Sequence, residues 1–256
     1  MRWRPAHRCG PGSGSREEPC GRRDGRFGIV TVPTTEKGAP ARIGPNAVIR
    51  TVQELEGILG RTDTERMLRR FGLEHLLDVE PDGMRPEEEF LRLVKAVTES
   101  LPPETARAVL LSAGRSTGSY VLENRIPGVF RKLAPVLPRT VRLRLLLSAF
   151  QRHAWTFAGS GRFEVEVGTP ARMRLELAPE ARELPSRIPL IAYYTGSFEV
   201  LLRAMVDSDL TLEGPPERDG GPPERFEMTI YPEGLPQPCF FQERGFRRTG
   251  VDHGAN

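Results

Sequence analysis

An α+β fold is predicted, with a helical N-terminal half followed by a roughly four-stranded antiparallel sheet that has one helix embedded in it. Two observations lead there. Apolar residues recur at helical spacing up to about residue 155 and then change to strict alternation over 163 to 177. Helical spacing returns once, over 190 to 206, before two more short alternating runs, and helices followed by strands in this order describe an α+β chain rather than a parallel α/β one. No strand is expected before residue 150.

Order is expected to begin at Ile43-Gly44-Pro45-Asn46, because Pro45 suits a first helical turn and Val48, Val52, Leu55 and Leu59 then share one face. Gly60 ends that helix. Thr62 and Glu65 form a capping-box pattern ahead of Met67, Leu68 and Phe71, with Gly72 as the stop. A third helix starts near Pro86 with Glu87, Glu88 and Glu89 in its first turn, where carboxylates complement the helix dipole, and breaks at Pro102-Pro103. The fourth runs from about 104 to 124 and presents a small-residue face at Ala113, Gly114, Thr117 and Gly118. That face admits a second helix at close range or a flat ligand, and spacing alone does not separate the two. From 139 to 155 the run Val141, Leu143, Leu145, Leu146, Leu147 and Phe150 is apolar around much of a helix, which predicts deep burial. Phe163, Val165 and Val167, then Met173, Leu175 and Leu177, predict two half-buried strands joined at 168 to 170, and Leu210-Leu212 with Phe226-Met228-Ile230 predict two more across the Gly/Pro-rich loop 214 to 223. These assignments bound one domain at about 42 to 231, between tails at 1 to 41 and 232 to 256. The N-terminal tail is expected to be disordered and dispensable.

Composition excludes several classes. The chain has 256 residues, 38% of them hydrophobic and 28% charged. With a mean hydropathy of -0.40, no stretch approaches the ~18 uninterrupted apolar residues of a membrane span, so an integral membrane protein is not expected. The net charge of +3 is concentrated in residues 1 to 40, which hold eight basic and four acidic side chains. The rest is close to neutral, and without a basic face bearing groove-reading or aromatic elements no nucleic-acid partner is expected. Three cysteines, Cys9, Cys20 and Cys239, are too few and too dispersed for a disulfide framework, which fits the cytoplasm. No nucleotide-binding glycine loop, Cys-x-x-Cys pair, paired-histidine metal spacing or nucleophile elbow is present, so no cofactor is recognisable and no catalytic residue is assigned.

What remains is an acid-free segment. Residues 124 to 163 contain no Asp or Glu but eight basic residues, Arg125, Arg131, Lys132, Arg139, Arg142, Arg144, Arg152 and Arg162. Guanidinium forks of this kind suit carboxylates, although any one arginine also fits a solvated helix face. Inside the segment lies His153-Ala154-Trp155-Thr156-Phe157-Ala158-Gly159-Ser160-Gly161. His153 follows Leu146 by seven residues and Phe150 by three, placing it near the apolar face. An imidazole there either ligates the central metal of a flat macrocycle, with Trp155 and Phe157 supplying aromatic surface, or is a core histidine bonded to a carbonyl. The candidate ligand-binding set is therefore His153, Trp155, Phe157, Arg152, Arg162, Gly114 and Gly118. Gly159-Ser160-Gly161 precedes a strand rather than a helix and reads as a turn.

These residues carry a resemblance. Ile43-Gly44-Pro45-Asn46-Ala47, the string from His153 to Gly161, and Tyr193-Tyr194 with Phe198-Glu199 and Leu201 resemble the bacteriochlorophyll 4-vinyl reductase (BchJ) family of photosynthetic bacteria, over about 42 to 231. The resemblance implies a 4-vinyl reductase type small-molecule-binding domain, akin to transport-particle subunits and haem-based nitric oxide sensors, acting in chlorophyll and bacteriochlorophyll biosynthesis. The named reaction converts a ring vinyl group of divinyl chlorophyllide or protochlorophyllide to ethyl. Domains of this type often carry cysteines before the last strand, whereas residues 215 to 226 here hold none. Reduction needs two electrons and two protons from a donor. Since no donor motif is present, the favoured expectation is a protein that binds and delivers the tetrapyrrole, His153 facing its magnesium, with the reductase itself as the alternative. The partners so implied are a chlorophyllide-type small molecule and other enzymes of the pathway, a homodimer being left open. The expected location is cytoplasmic, or peripheral to the photosynthetic membrane.

Overall fold

Residues 41–213 and 225–231 are described by the structure, a computed structural model. The tails expected at 1 to 41 (apart from Ala41) and 232 to 256, the 214 to 223 loop, the three cysteines, Trp3, His7 and His253 lie outside these residues.

Helix α1 (Asn46–Leu59) begins after Pro45 and stops at Gly60, whose φ of 78° suits glycine. Helix α2 (Arg61–Arg70) corrects the capping-box expectation: Gly60 occupies the N-cap with no side-chain cap, Thr62 already lies inside the first turn, and Glu65 pairs with Arg69 instead. Helix α3 (Glu87–Ser100) carries the three expected acids in its first turn, and α4 (Pro103–Asn124) starts on Pro103. A short helix α5 (Gly128–Leu133) that periodicity did not predict leads to α6 (Arg139–Arg152). The expectation of deep burial for α6 is corrected. Leu146, Leu147 and Phe150 are buried, but Val141 and Leu145 are exposed, because the helix packs with one edge only.

The expectation that no strand precedes residue 150 is also corrected, by a two-residue antiparallel pairing of β1 (Arg42–Ile43) with β2 (Arg85–Pro86). A ladder this short leaves no alternation to read. The main sheet is as predicted: β3 (Arg162–Glu166), β4 (Ala171–Glu176), β5 (Thr211–Glu213) and β6 (Arg225–Tyr231) form an antiparallel sheet in the order β3-β4-β6-β5, with α7 (Ile188–Met205) embedded between β4 and β5. Its register pairs Val165 with Met173 and Met173 with Met228, so one face collects the buried Met173, Leu175, Phe226, Met228 and Ile230. On the other face Arg174 donates to Glu227 at 2.6 Å and to Glu166 at 3.0 Å, while Arg225 reaches Glu176 at 2.8 Å. Such solvated pairs are worth under about 1 kcal/mol each, so the apolar face carries the sheet.

Helix α7 lies between the sheet and α4. Toward the sheet, Phe198 stacks on Phe163 at 5.5 Å and Tyr194 meets Phe226 at 6.3 Å between ring centroids. Toward α4, the small-residue face lets the two backbones touch: a Cβ on Gly114 would fall 2.0 Å from the Tyr193 carbonyl oxygen, and one on Gly118 would fall 2.7 Å from that of Ser197. Helix packing therefore takes Gly114 and Gly118, and their expected ligand contact is corrected, since no ligand fits where backbone already stands.

Candidate functional site

The string from His153 to Gly161 is where α6, α3, α7, β1 and β3 are tied together. Helix α6 ends at Arg152 rather than 155, and Ala154–Thr156 turn as a 3-10 element whose buried Ala154 accepts the N–H groups of Phe157 (3.0 Å) and Ala158 (2.7 Å). Gly44 N–H donates to the Thr156 carbonyl at 2.8 Å, docking the chain just after β1, and the Thr156 hydroxyl donates to the His153 carbonyl at 2.7 Å. The half-buried Phe157 ring lies edge-on to Phe163 (5.1 Å) and Phe198 (5.4 Å), and its carbonyl accepts the Tyr194 hydroxyl at 3.0 Å.

Ser160 then binds a carboxylate from α3. Its backbone N–H and its hydroxyl both donate to Glu87 Oε2, at 2.9 and 2.8 Å. Gly159 has φ 55° and passes so close that a Cβ there would lie 2.1 Å from Glu87 Oε1. Burial pushes the Glu87 carboxyl above its ordinary value, the two Ser160 bonds pull it back, and Glu180 adds repulsion that raises it. Burial likewise moves the Tyr193 phenol up to about 12, against the hydrogen bonds from its hydroxyl to Thr117 and with Ser197, and raises Tyr194 further, with a contribution from Glu87. Both tyrosines are therefore neutral hydrogen-bond donors at working pH.

The raised Glu87 has a measurable consequence. A carboxyl that holds its proton to higher pH when folded favours the native state below the unfolded-state value of 4.5 and loses that contribution as pH rises through the folded value. Glu87→Gln keeps the shape and an acceptor oxygen for Ser160 without the charge. The stability of this variant relative to the parent is expected to increase as pH rises from 4 to 8 (roughly the span of a buried carboxyl), read from denaturant midpoints. A difference that stays flat over that range would show that burial of the charge has no cost here.

Within this junction two side chains have no structural task. His153 and Trp155 are exposed, the indole by 50%, and among the described residues neither side chain makes a hydrogen bond, ion pair or ring contact. The placement of His153 on the apolar face is corrected: it is the C-cap of α6, with φ -102°, and the chain turns there so that the imidazole leaves the core. That also removes the core-histidine reading. Arg152 is exposed beside it, and Arg162, also exposed, pairs with Glu164 at 3.0 Å. Farther back in α6, Arg139 pairs with Asp207 at 3.1 Å, while its Nη2 and the Nε of Arg142 are buried without a hydrogen bond among the described residues. The structure thus brings Arg152, His153, Trp155, Phe157 and Arg162 onto one helix-to-strand junction and assigns Gly114 and Gly118 to packing.

No spacing rule assigns Glu87, Ser160 or Tyr194 to the site, although Ser160 and Tyr194 lie in the segments that carry the family resemblance. In the sequence Glu87 is a first-turn acid complementing the helix dipole, and its Ser160 partner is 73 positions away, a distance no spacing rule spans. Among the described residues no group of three or more His, Cys, Asp or Glu side chains is placed to hold a metal ion, and no helix is long and apolar enough to cross a membrane.

Fold and site together define an α+β protein with an exposed imidazole and indole at the end of an arginine-rich helix. The chain is 37% identical over 174 residues to the bacteriochlorophyll synthase 23 kDa chain of Rhodobacter capsulatus, covering 67% of this chain and 79% of that one. It is 35% identical over 172 residues to the protein of the same name from Cereibacter sphaeroides, covering 66% and 82% respectively. The chain belongs to the family of bacteriochlorophyll synthase 23 kDa chains. No protein-family model matches it. Among solved structures, an H-NOX family protein studied for heme distortion aligns with a TM-score of 0.47 at 14% identity, covering 79% of this chain and all 100% of that one. An oxygen-binding H-NOX domain related to soluble guanylate cyclases aligns at 0.40 and 12% identity, covering 73% and 93%. Both scores lie below 0.5, and the family assignment rests on the sequence relatives.

Proposed function

We propose that this protein acts in bacteriochlorophyll biosynthesis by binding a divinyl chlorophyllide or protochlorophyllide type tetrapyrrole and delivering it at the vinyl-reduction step. The names of both relatives support the pathway. The observation that carries the binding reading is the division of labour in the string from His153 to Gly161: most of its residues bond or pack the fold together, while His153 and Trp155 face outward without partners. A neutral imidazole is a good axial ligand for the central magnesium of such a ring, and an indole offers it a flat apolar face. Arg152, exposed beside them, offers a guanidinium fork to a ring carboxylate, and Arg162 can do so by exchanging its pairing with Glu164. Phe157 acts from behind, fixing the turn that presents the pair.

Trp155 is its own reporter, because Trp3 is the only other tryptophan in the chain. Magnesium divinyl protochlorophyllide is expected to quench its emission on binding. His153→Ala should weaken that binding about fivefold to a hundredfold, the loss of one ligating contact of about 1–3 kcal/mol, while leaving the metal-free ring bound as before. Because His153 is exposed, the variant should melt as the parent does. Equal affinity of parent and folded variant for both rings would remove the axial-ligand role. The same preparation separates the alternative: turnover of the divinyl compound with reduced nicotinamide and no other protein would assign the reduction to this chain.

A further inference from the structure

We propose that the outward side of residues 128 to 152 docks this protein onto an anionic lipid surface. Six of the eight exposed large hydrophobic residues among those described fall between 129 and 155, with only Ile58 and Val167 elsewhere, so the apolar surface is gathered rather than scattered. Val129 and Leu133 are one turn apart on α5, and Val136 follows three residues on, with exposures of 70%, 54% and 77%. On α6, Val141 and Leu145 begin a stripe that continues through Ser148 to Arg152 at helical spacing, directly opposite the buried Leu146, Leu147 and Phe150.

Charge decides the occupant. Arg131, Lys132, Arg144 and Arg152 are exposed among these apolar residues and have no ion-pair partner among the described residues. Of the surface arginines elsewhere, Arg66, Arg69, Arg115, Arg174 and Arg225 each sit on a carboxylate, whereas exposed Arg70 and Arg107, like those of the patch, have no ion-pair partner among the described residues but stand apart from any exposed apolar cluster. The acid-free run from 124 to 163 removes local competitors for these cations. A protein partner of matched charge is met by both signs and a core depleted in lysine. Here cations alone are interleaved with aliphatic side chains, the arrangement in which long stems carry charge to lipid phosphates while Val and Leu enter the acyl boundary. Trp155, exposed in the turn just after α6, is the residue type that settles at that boundary. A lipid surface is also where a hydrophobic small molecule is exchanged, but the docking does not depend on one.

The test uses the full chain without tetrapyrrole and co-sedimentation with phosphatidylcholine vesicles, either pure or containing roughly 30% phosphatidylglycerol. Binding to the mixed vesicles is expected to be at least roughly tenfold tighter than to the pure ones and to weaken in high salt. Arg131→Glu with Lys132→Glu, and separately Leu133→Ser with Leu145→Ser, should each lower it by roughly tenfold or more. Arg66→Glu with Arg69→Glu on α2 changes net charge as much as the first variant and should bind almost as the parent does. If the serine variant does not melt cooperatively, the charge-reversal pair carries the test. Failure of the full chain to sediment with mixed vesicles, as expected if a protein or another segment of this chain covers the face, overturns the proposal. So does parent-like binding by the charge-reversal variant, or an equal loss in the α2 control. Quenching of Trp155 by the magnesium tetrapyrrole is measured without lipid, so either reading can fail while the other stands.

Discussion

Gly114→Ala is expected to destabilise the protein by about 3 kcal/mol or more, a loss of the size that truncating a large core side chain produces. In an unpacked helix the same change stabilises by about 1 kcal/mol, because alanine restricts the unfolded chain and favours helix. Here the new methyl would stand 2.0 Å from the Tyr193 carbonyl oxygen and 2.8 Å from its carbonyl carbon. These are backbone atoms of α7, so no rotamer change relieves the contact and the helices must part. Parting them strains what surrounds the contact: the Ser197 hydroxyl bond to the Gly114 carbonyl at 3.0 Å, the Tyr193 hydroxyl bond to Thr117 at 3.1 Å, and the Phe90–Tyr193 ring contact at 5.0 Å. A denaturant midpoint equal to or above that of the parent would mean that α4 and α7 do not approach this closely.

Phe198→Ala is expected to cost about 3–5 kcal/mol. Phe198 is 3% exposed and its ring touches those of Phe150 (5.1 Å), Phe157 (5.4 Å) and Phe163 (5.5 Å), so one truncation removes the shared centre of a cluster drawn from α6, the 153–161 junction and β3. The cavity has little means of collapsing, because its walls are rings held by three separate elements. The double variant with Phe157→Ala should lose less than the sum of the single losses, by roughly 0.5–1.5 kcal/mol, which is the coupling of an aromatic pair. Additive losses, or a single loss under about 1 kcal/mol, would contradict the cluster. Since Phe157 anchors the turn that presents His153 and Trp155, tetrapyrrole affinity should fall in a Phe198→Ala protein that remains folded.

Much of the architecture is legible in the sequence, and the reasons are local. The alternation Met173, Leu175, Leu177 and Phe226, Met228, Ile230 marks strands with one buried face, and Gly60, Gly72 and Pro102-Pro103 punctuate helices by backbone geometry that neighbouring residues cannot override. Local pattern failed where an element's environment differs around its circumference. Leucine and valine all round α6 read as a buried helix, yet only the edge bearing Leu146, Leu147 and Phe150 found a core to enter. The β1–β2 pairing was illegible for the opposite reason, since two residues carry no period.

The candidate site divides along the same line. Residue order and composition mark out the unusual residues, an acid-free arginine-rich stretch and the string from His153 to Gly161, because both are local properties. They also put Gly114 and Gly118 on one face, because helical period is local. What fills that face is set by packing, since Tyr193 and Ser197 arrive from a helix some eighty residues later. Packing likewise buries Glu87 against Ser160, turns Phe157 inward and leaves His153 and Trp155 facing out. The physical reason is the same in each case: burial and hydrogen-bond satisfaction depend on which distant segments come to lie alongside, and a polar group that is costly to bury alone becomes affordable only beside its partner.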